Sequence, residues 1–135
     1  MSKTLFVNLP VHDLTRSIEF FTRLGFTPDP NSSGAESARM VIGDACSVML
    51  HRADVFRRYT NTDVTDTATG REVIVGVSLD DRVDVDDLVD RATAAGATDL
   101  GPVQDDGFLY MRGFRDLDGH QWSFLHMNVA AFERA

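Results

Sequence analysis

Apolar positions recur along this chain in two periods, and each change of period marks an element. Leu5 to Val11 is a strand-length run that ends just before Asp13. Beyond it Leu14, Ile18, Phe21 and Leu24 return at helical spacing and form one apolar stripe. Asp13 or Thr15 can cap the start of that helix, and Gly25 can take the left-handed conformation that ends it. The same syntax comes back after residue 72. A strand through Val73 to Leu79 reaches Asp80, and a second stripe of Val85, Leu88, Val89, Ala92 and Ala95 stops at Gly96. Asp84, Asp86 and Asp87 fall in its first turn, where the helix dipole favours negative charge. Both stops are Gly, an apolar residue and Thr. The shared order, more than residue identity, makes the repeat.

Shorter strand-like runs follow each helix. In the first half they are Ala38–Gly43 and Cys46–Arg52, broken by Gly43-Asp44. In the second they are Phe108–Phe114 and Gln121–Met127, broken by the turn Asp116-Leu117-Asp118-Gly119. A further strand is expected in each half, near Phe26-Thr27 and Thr98–Leu100. The pattern predicts an α+β fold of two tandem βαβββ modules within one domain, residues 1–135. Module one spans about residues 4–52 and module two about 72–128. Between them, about 53–71 is a polar stretch rich in Thr and Asp, a linker or flap with a helical turn around Val55 to Tyr59. One such unit covers one sheet face with its helix and leaves the other bare. Pairing two units curves their sheets around a shared concave cavity. An unrelated α+β sandwich or ferredoxin-like domain is the alternative architecture.

Composition narrows the function. The chain has 135 residues, 43% of them hydrophobic and 25% charged, which is ordinary globular usage. Thirteen basic against 21 acidic residues leave a net charge of -8, so neither nucleic acid nor an anionic membrane surface is an expected partner. No run reaches the roughly 18 apolar residues that a spanning helix needs, and the N-terminus lacks a leader-like pattern. The expected compartment is cytoplasmic. Cys46 is the only cysteine, which excludes an internal disulfide.

Several of these residues resemble the vicinal oxygen chelate superfamily, which includes glyoxalases, bleomycin-resistance proteins and extradiol dioxygenases. Val11-His12-Asp13-Leu14, then Ser17, Phe20-Phe21 and Leu24-Gly25-Phe26, is similar to the family's opening helix. Gly113 to His120 resembles its closing Phe-x-Asp-Pro-Asp-Gly turn, with Leu117 in place of the usual proline. The resemblance runs from Leu5 to about Met127 and looks most like a bacterial subgroup labelled as predicted lactoylglutathione lyases. Metal-dependent members hold one divalent ion with His, Gln or Glu on the first and last strands of each module. Hard or borderline donors must converge there at about 2.0–2.3 Å. Carried over one at a time, those positions fall on Phe6, Met49, Ile74 and Ser123. A one-residue slip brings in Val48 or Leu50 for Met49, and Trp122 or Phe124 for Ser123, none of them a ligand. The expectation is no metal and no cofactor.

Strand parity places Phe6, Asn8, Met49, His51, Ile74, Gly76, Ser78, Ser123, Leu125 and Met127 on the cavity side. Such a lining suits a small organic ligand, an aromatic one included, oriented by a few hydrogen bonds. The competing reading is that these residues fill a collapsed core. His51 is a candidate general base or hydrogen-bond donor. His12, His120 and His126 read as a loop residue, a turn residue and a packed residue, and Cys46 as a buried small apolar group. The acidic run from Asp80 to Asp90 lacks calcium-loop spacing and reads as solvated charge. Tyr110 and Arg112 share one face, and an inward Arg112 would favour an anionic ligand. The leading expectation is a metal-free relative that binds a small organic molecule in the cavity, with homodimers. The alternatives are a lyase or dioxygenase-type enzyme with unusual metal ligands, and a non-catalytic dimeric binding module.

Overall fold

The first apolar run forms strand β1 (Leu5–Val11) in a computed structural model that describes residues 2–128. Helix α1 (Leu14–Arg23) follows, capped by the Asp13 carboxylate, which accepts from the Arg16 amide at 3.1 Å. Leu14, Phe21 and Leu24 are buried as expected, but Ser17 and Phe20 join them and Ile18 is only half-buried. The buried face is therefore wider than the i, i+4, i+7, i+10 stripe suggested. Strands β2 (Thr27–Asp29), β3 (Ser37–Gly43) and β4 (Cys46–Arg52) complete the module, with a 3-10 turn at Pro30–Ser32. The sheet order is β1-β4-β3-β2, with β1 and β4 parallel.

Strand β1 lies at the sheet edge, and its sequence suits that place. The Leu5 amide donates to Ala45 at 2.8 Å, so odd-numbered residues of β1 turn their backbone bonds toward β4. Pro10, which has no amide hydrogen, falls in the even-numbered set that turns away.

The second unit repeats the plan. Strand β5 (Ile74–Ser78) leads to helix α3 (Arg82–Ala94), and the last strands are β8 (Leu109–Arg115) and β9 (Gln121–Met127). The strand expected at Thr98–Leu100 is present in two pieces. Strands β6 (Thr98–Asp99) and β7 (Gln104–Asp105) both pair with β8, separated by a break at Gly101-Pro102. Gly101 there has φ +111°, which an L side chain resists. The order β5-β9-β8-β6, with β5 parallel to β9, matches that of the first sheet.

Both module helices end in the same way. The amides of Gly25 and Phe26 donate to Thr22 and Phe21 at 3.0 and 3.1 Å, while those of Gly96 and Ala97 donate to Thr93 and Ala92 at 3.1 and 2.9 Å. This is the Schellman arrangement, and it needs the positive φ of +100° at Gly25 and +112° at Gly96. The repeated Gly-apolar-Thr stops are thus one device used twice.

The chain divides into two units, one ending at Asp66 and the other beginning at Thr67. In the first, Phe20 and Phe21 meet edge to face and Phe21 stacks on Phe26, with ring centroids 4.9 and 5.6 Å apart. In the second, Trp122, Phe124 and Phe114 are fully buried and stack in a row under α3. Each such pair adds about 0.5–1.5 kcal/mol beyond its area burial. The expected helical turn in the linker is longer than anticipated. Helix α2 (Ala53–Thr60) runs for two turns and packs on β4 and β1, so the segment from residue 53 belongs to the first unit's structure. Among the described residues no helix is long and apolar enough to cross a membrane.

Candidate functional site

Each sheet has one face under its helix and one face turned the other way. In the first sheet Leu9, Val11, Met40, Val48 and Leu50 are buried on the helix side. The register pairs Phe6 with Ser47, Asn8 with Met49 and Pro10 with His51, which places these six residues on the opposite face. Across β3 the same rows continue into Val41, Arg39 and Ser37. All four candidates from the first module therefore share one face. Phe6 is 42% exposed on it.

His51 is not the isolated imidazole that the sequence suggested. Its Nε2 lies 2.8 Å from Asn8 Oδ1 and its Nδ1 lies 2.6 Å from Ser37 Oγ. Asn8 Nδ2 donates to the Phe6 carbonyl at 3.5 Å, which leaves Oδ1 as the atom facing the ring. An amide oxygen only accepts, so Nε2 carries the hydrogen and the Ser37 hydroxyl donates to Nδ1. Helix α2 covers this end of the face, with Tyr59 and Phe56 ring centroids 5.3 and 6.3 Å from the imidazole. His51 is 5% exposed, and burial lowers its pKa, so the ring is held neutral in one tautomer. It fixes Asn8 and Ser37 in place and is shielded from bulk water.

Arg39 is the side chain that sequence reasoning missed. Its guanidinium carbon lies 4.9 Å from the centre of the Phe6 ring, close enough for cation–π attraction. Its Nε donates to Ser47 Oγ at 3.0 Å, and one terminal nitrogen reaches Asp29 at 3.4 Å. The signal was available in the alternation of Ala38 and Met40, both fully buried, with Arg39 between them. Strand parity puts the middle residue of such a triplet on the other face.

The second sheet's candidates also share a face. Val75, Val77, Trp122 and Phe124 lie on the α3 side, so Ile74, Gly76, Ser78, Ser123 and Leu125 lie opposite. The register places Gly76 and Gly113 on either side of Ser123. A Cβ added at Gly76 would meet nothing within 4 Å. Ser123 Oγ is buried without a hydrogen-bond partner among the described residues. The result is a strip of backbone with one unspent hydroxyl, flanked by Ile74, which is 56% exposed. Met127 is on the same face at the strand's end.

Tyr110 and Arg112 turn to the helix side. The Tyr110 hydroxyl donates to Asp86 at 2.8 Å, and Arg112 binds Asp86, Asp90 and Asp99 at 3.0–3.1 Å. The acidic run is thus not merely solvated charge, because Asp86 and Asp90 are the anchors of a half-buried guanidinium. Asp86 also sits a full turn into α3, beyond the first turn where the sequence placed it. The route to an anionic ligand through Arg112 is closed. His126 Nδ1 donates to the Leu79 carbonyl, 3.1 Å away, and since a carbonyl only accepts, Nδ1 carries the hydrogen. Cys46 is half-exposed at the first residue of β4, where the sequence reading had it buried.

The closing turn shows why Asp116 stands where it does. One carboxylate oxygen accepts from the amides of Asp118 and His120, and the other from the Trp122 indole at 3.0 Å. Burial pushes this carboxyl above its usual range, and the neighbouring His120 with these three donors offsets part of the shift. The turn and the core tryptophan are tied by one side chain.

The family described as Glyoxalase/Bleomycin resistance protein/Dioxygenase superfamily matches residues 4–124. The chain belongs to that superfamily. Among solved structures, hypothetical protein SA1046 from S. aureus is 26% identical with a TM-score of 0.80, covering 93% of this chain and 94% of that one. TioX from Micromonospora sp. ML1 is 28% identical with a TM-score of 0.64, covering 94% and 100%. The fosfomycin resistance protein FosX from Mesorhizobium loti, at 16% identity, TM-score 0.69 and coverage of 99% and 98%, shares the fold. A comparison with curated protein sequences finds no match.

The superfamily's metal-dependent members set a test for this chain. The positions that would carry ligands hold Phe6 and Met49 on one sheet face and Ile74 and Ser123 on the other. A phenyl ring, a thioether, an alkyl chain and a lone hydroxyl do not fit a hard divalent ion. Among the described residues no three His, Cys, Asp or Glu side chains gather as a metal site either.

Proposed function

We propose that this superfamily member binds a small organic molecule on the sheet faces opposite its helices, without the usual metal. One observation carries the reading. The face of the first sheet combines an exposed aromatic ring, a thioether and two polar side chains held in fixed directions by their neighbours. Phe6 and Met49 offer apolar contact, while His51 and Ser47 orient Asn8 and Arg39. An apolar floor with few, well-placed polar groups is what a small-molecule site requires.

A thermal-shift screen against small aromatics, antibiotics and thiol conjugates tests this directly. A compound present at about 100 times its Kd should stabilise the native state by about 2.7 kcal/mol. Gly76→Leu supplies the second arm. The new Cβ meets nothing within 4 Å, so the fold should hold, while a ligand on the second sheet's face should lose affinity. If no compound class shifts the melting temperature, the reading fails.

A further inference from the structure

Building on that proposal, we infer that the ligand is an organic anion: a flat apolar body bearing an anionic oxygen group, which Arg39 receives. The polar groups on the first sheet's open face set what the ligand must offer. Asn8 Oδ1 is committed to His51, and the Ser37 hydroxyl to the other side of the same ring. Ser47 Oγ is buried and accepts from Arg39 Nε. What the face still offers is donors. Asn8 Nδ2 has only the long 3.5 Å contact to the Phe6 carbonyl. Arg39 keeps one terminal nitrogen with no hydrogen bond among the described residues and a second that makes only the 3.4 Å contact to Asp29.

A face that presents hydrogen-bond donors selects a ligand rich in acceptors, and a full positive charge among them selects an anion. The unspent terminal nitrogen and the one held only at 3.4 Å by Asp29 together match the two oxygens of a carboxylate, or two of a phosphonate. Asp29 offsets part of this charge through its 3.4 Å ion pair with one terminal nitrogen, while its oxygens also accept from the Asn31 amide at 3.0 Å and the Ser32 hydroxyl at 3.1 Å. Arg39 remains 26% exposed, partly desolvated and pre-positioned by Ser47 and the Phe6 ring. The row Asn8, Met49, Arg39 crosses three strands, so the two donors flank the thioether with backbones about 10 Å apart. A ring lying over Met49 and beside Phe6 spans that interval.

The experiment compares naphthalene-2-carboxylate with naphthalene-2-carboxamide, equal in shape and different in charge, by calorimetry on the full chain. The carboxylate should bind roughly tenfold more tightly. Arg39→Met should erase that preference while leaving carboxamide binding in place. Asp29→Asn, which relieves repulsion and keeps the guanidinium, should strengthen carboxylate binding severalfold. Far-ultraviolet dichroism and a urea midpoint near wild type certify each variant's fold, and the Asp29→Asn arm stands if Arg39→Met does not fold. Equal binding of the two probes, or a preference that survives Arg39→Met, overturns the anion assignment and leaves the general proposal standing. Binding of neither probe overturns the anion assignment, and the wider compound screen then decides the general proposal separately.

Discussion

His51 sets the character of its end of the first sheet. With Ser37 on one nitrogen and Asn8 on the other, the ring has no spare valence, and its removal strands two polar partners. His51→Ala should destabilise the protein by about 1–3 kcal/mol, read from urea unfolding near neutral pH. The pH dependence has a definite sign. Burial lowers the folded pKa below the ordinary 6.5, so the unfolded chain takes up the proton first as pH falls. The ring's contribution is full above that value and fades as pH drops through it. The gap between wild type and His51→Ala should narrow between about pH 8 and about pH 5. A gap that widens on acidification would mean that the ring is protonated in the folded state. Asn8, Met49 and His51 could be placed on one face from strand parity alone. Their partners could not. Which residue of β3 faces His51 depends on the pairing register, and that register shifts between Val41 and Gly43. A bulge of this kind leaves no mark that a single sequence discloses.

Helix α3 is fastened to its sheet by charge as well as by its apolar stripe. Arg112 is 13% exposed and holds carboxylates from two positions on the helix and one on β6. Arg112→Met would leave three acidic groups facing one another. The expected loss is about 1–2 kcal/mol, discounted because the carboxylates themselves are largely wet. The difference from wild type should shrink in about 1 M salt, which screens both the attraction and the remaining repulsion. An unchanged urea midpoint in low salt would reduce the cluster to decoration. The helices and their glycine stops were legible because each uses a local rule: a stripe of fixed period, a cap and a residue tolerant of positive φ. The strand near Thr98–Leu100 was legible too, but its second piece, Gln104–Asp105, was not, since two residues are too few to show a period. Of α2 only the turn around Val55 to Tyr59 was legible, and its full length was not, because its polar surface hides the buried Val55.

For the molecule as a whole, the donor set at the superfamily's ligand positions leads to a simple expectation. Dialysis against a chelator, or addition of zinc, manganese or nickel, should leave the melting temperature of the untagged protein unchanged. A rise with one stoichiometric equivalent of ion would instead require ligands at positions other than Phe6, Met49, Ile74 and Ser123. Strand β1 carries a consequence of its own. Bonded to β4 by its odd-numbered amides only, it sorts its backbone into two populations that deuterium exchange can count separately. Val7 and Leu9 should retain their hydrogens, and the outward amides of Phe6 and Asn8 report on whatever lies along that flank. Protection of those two would be the imprint of a further strand laid there, with Pro10 the gap in its ladder.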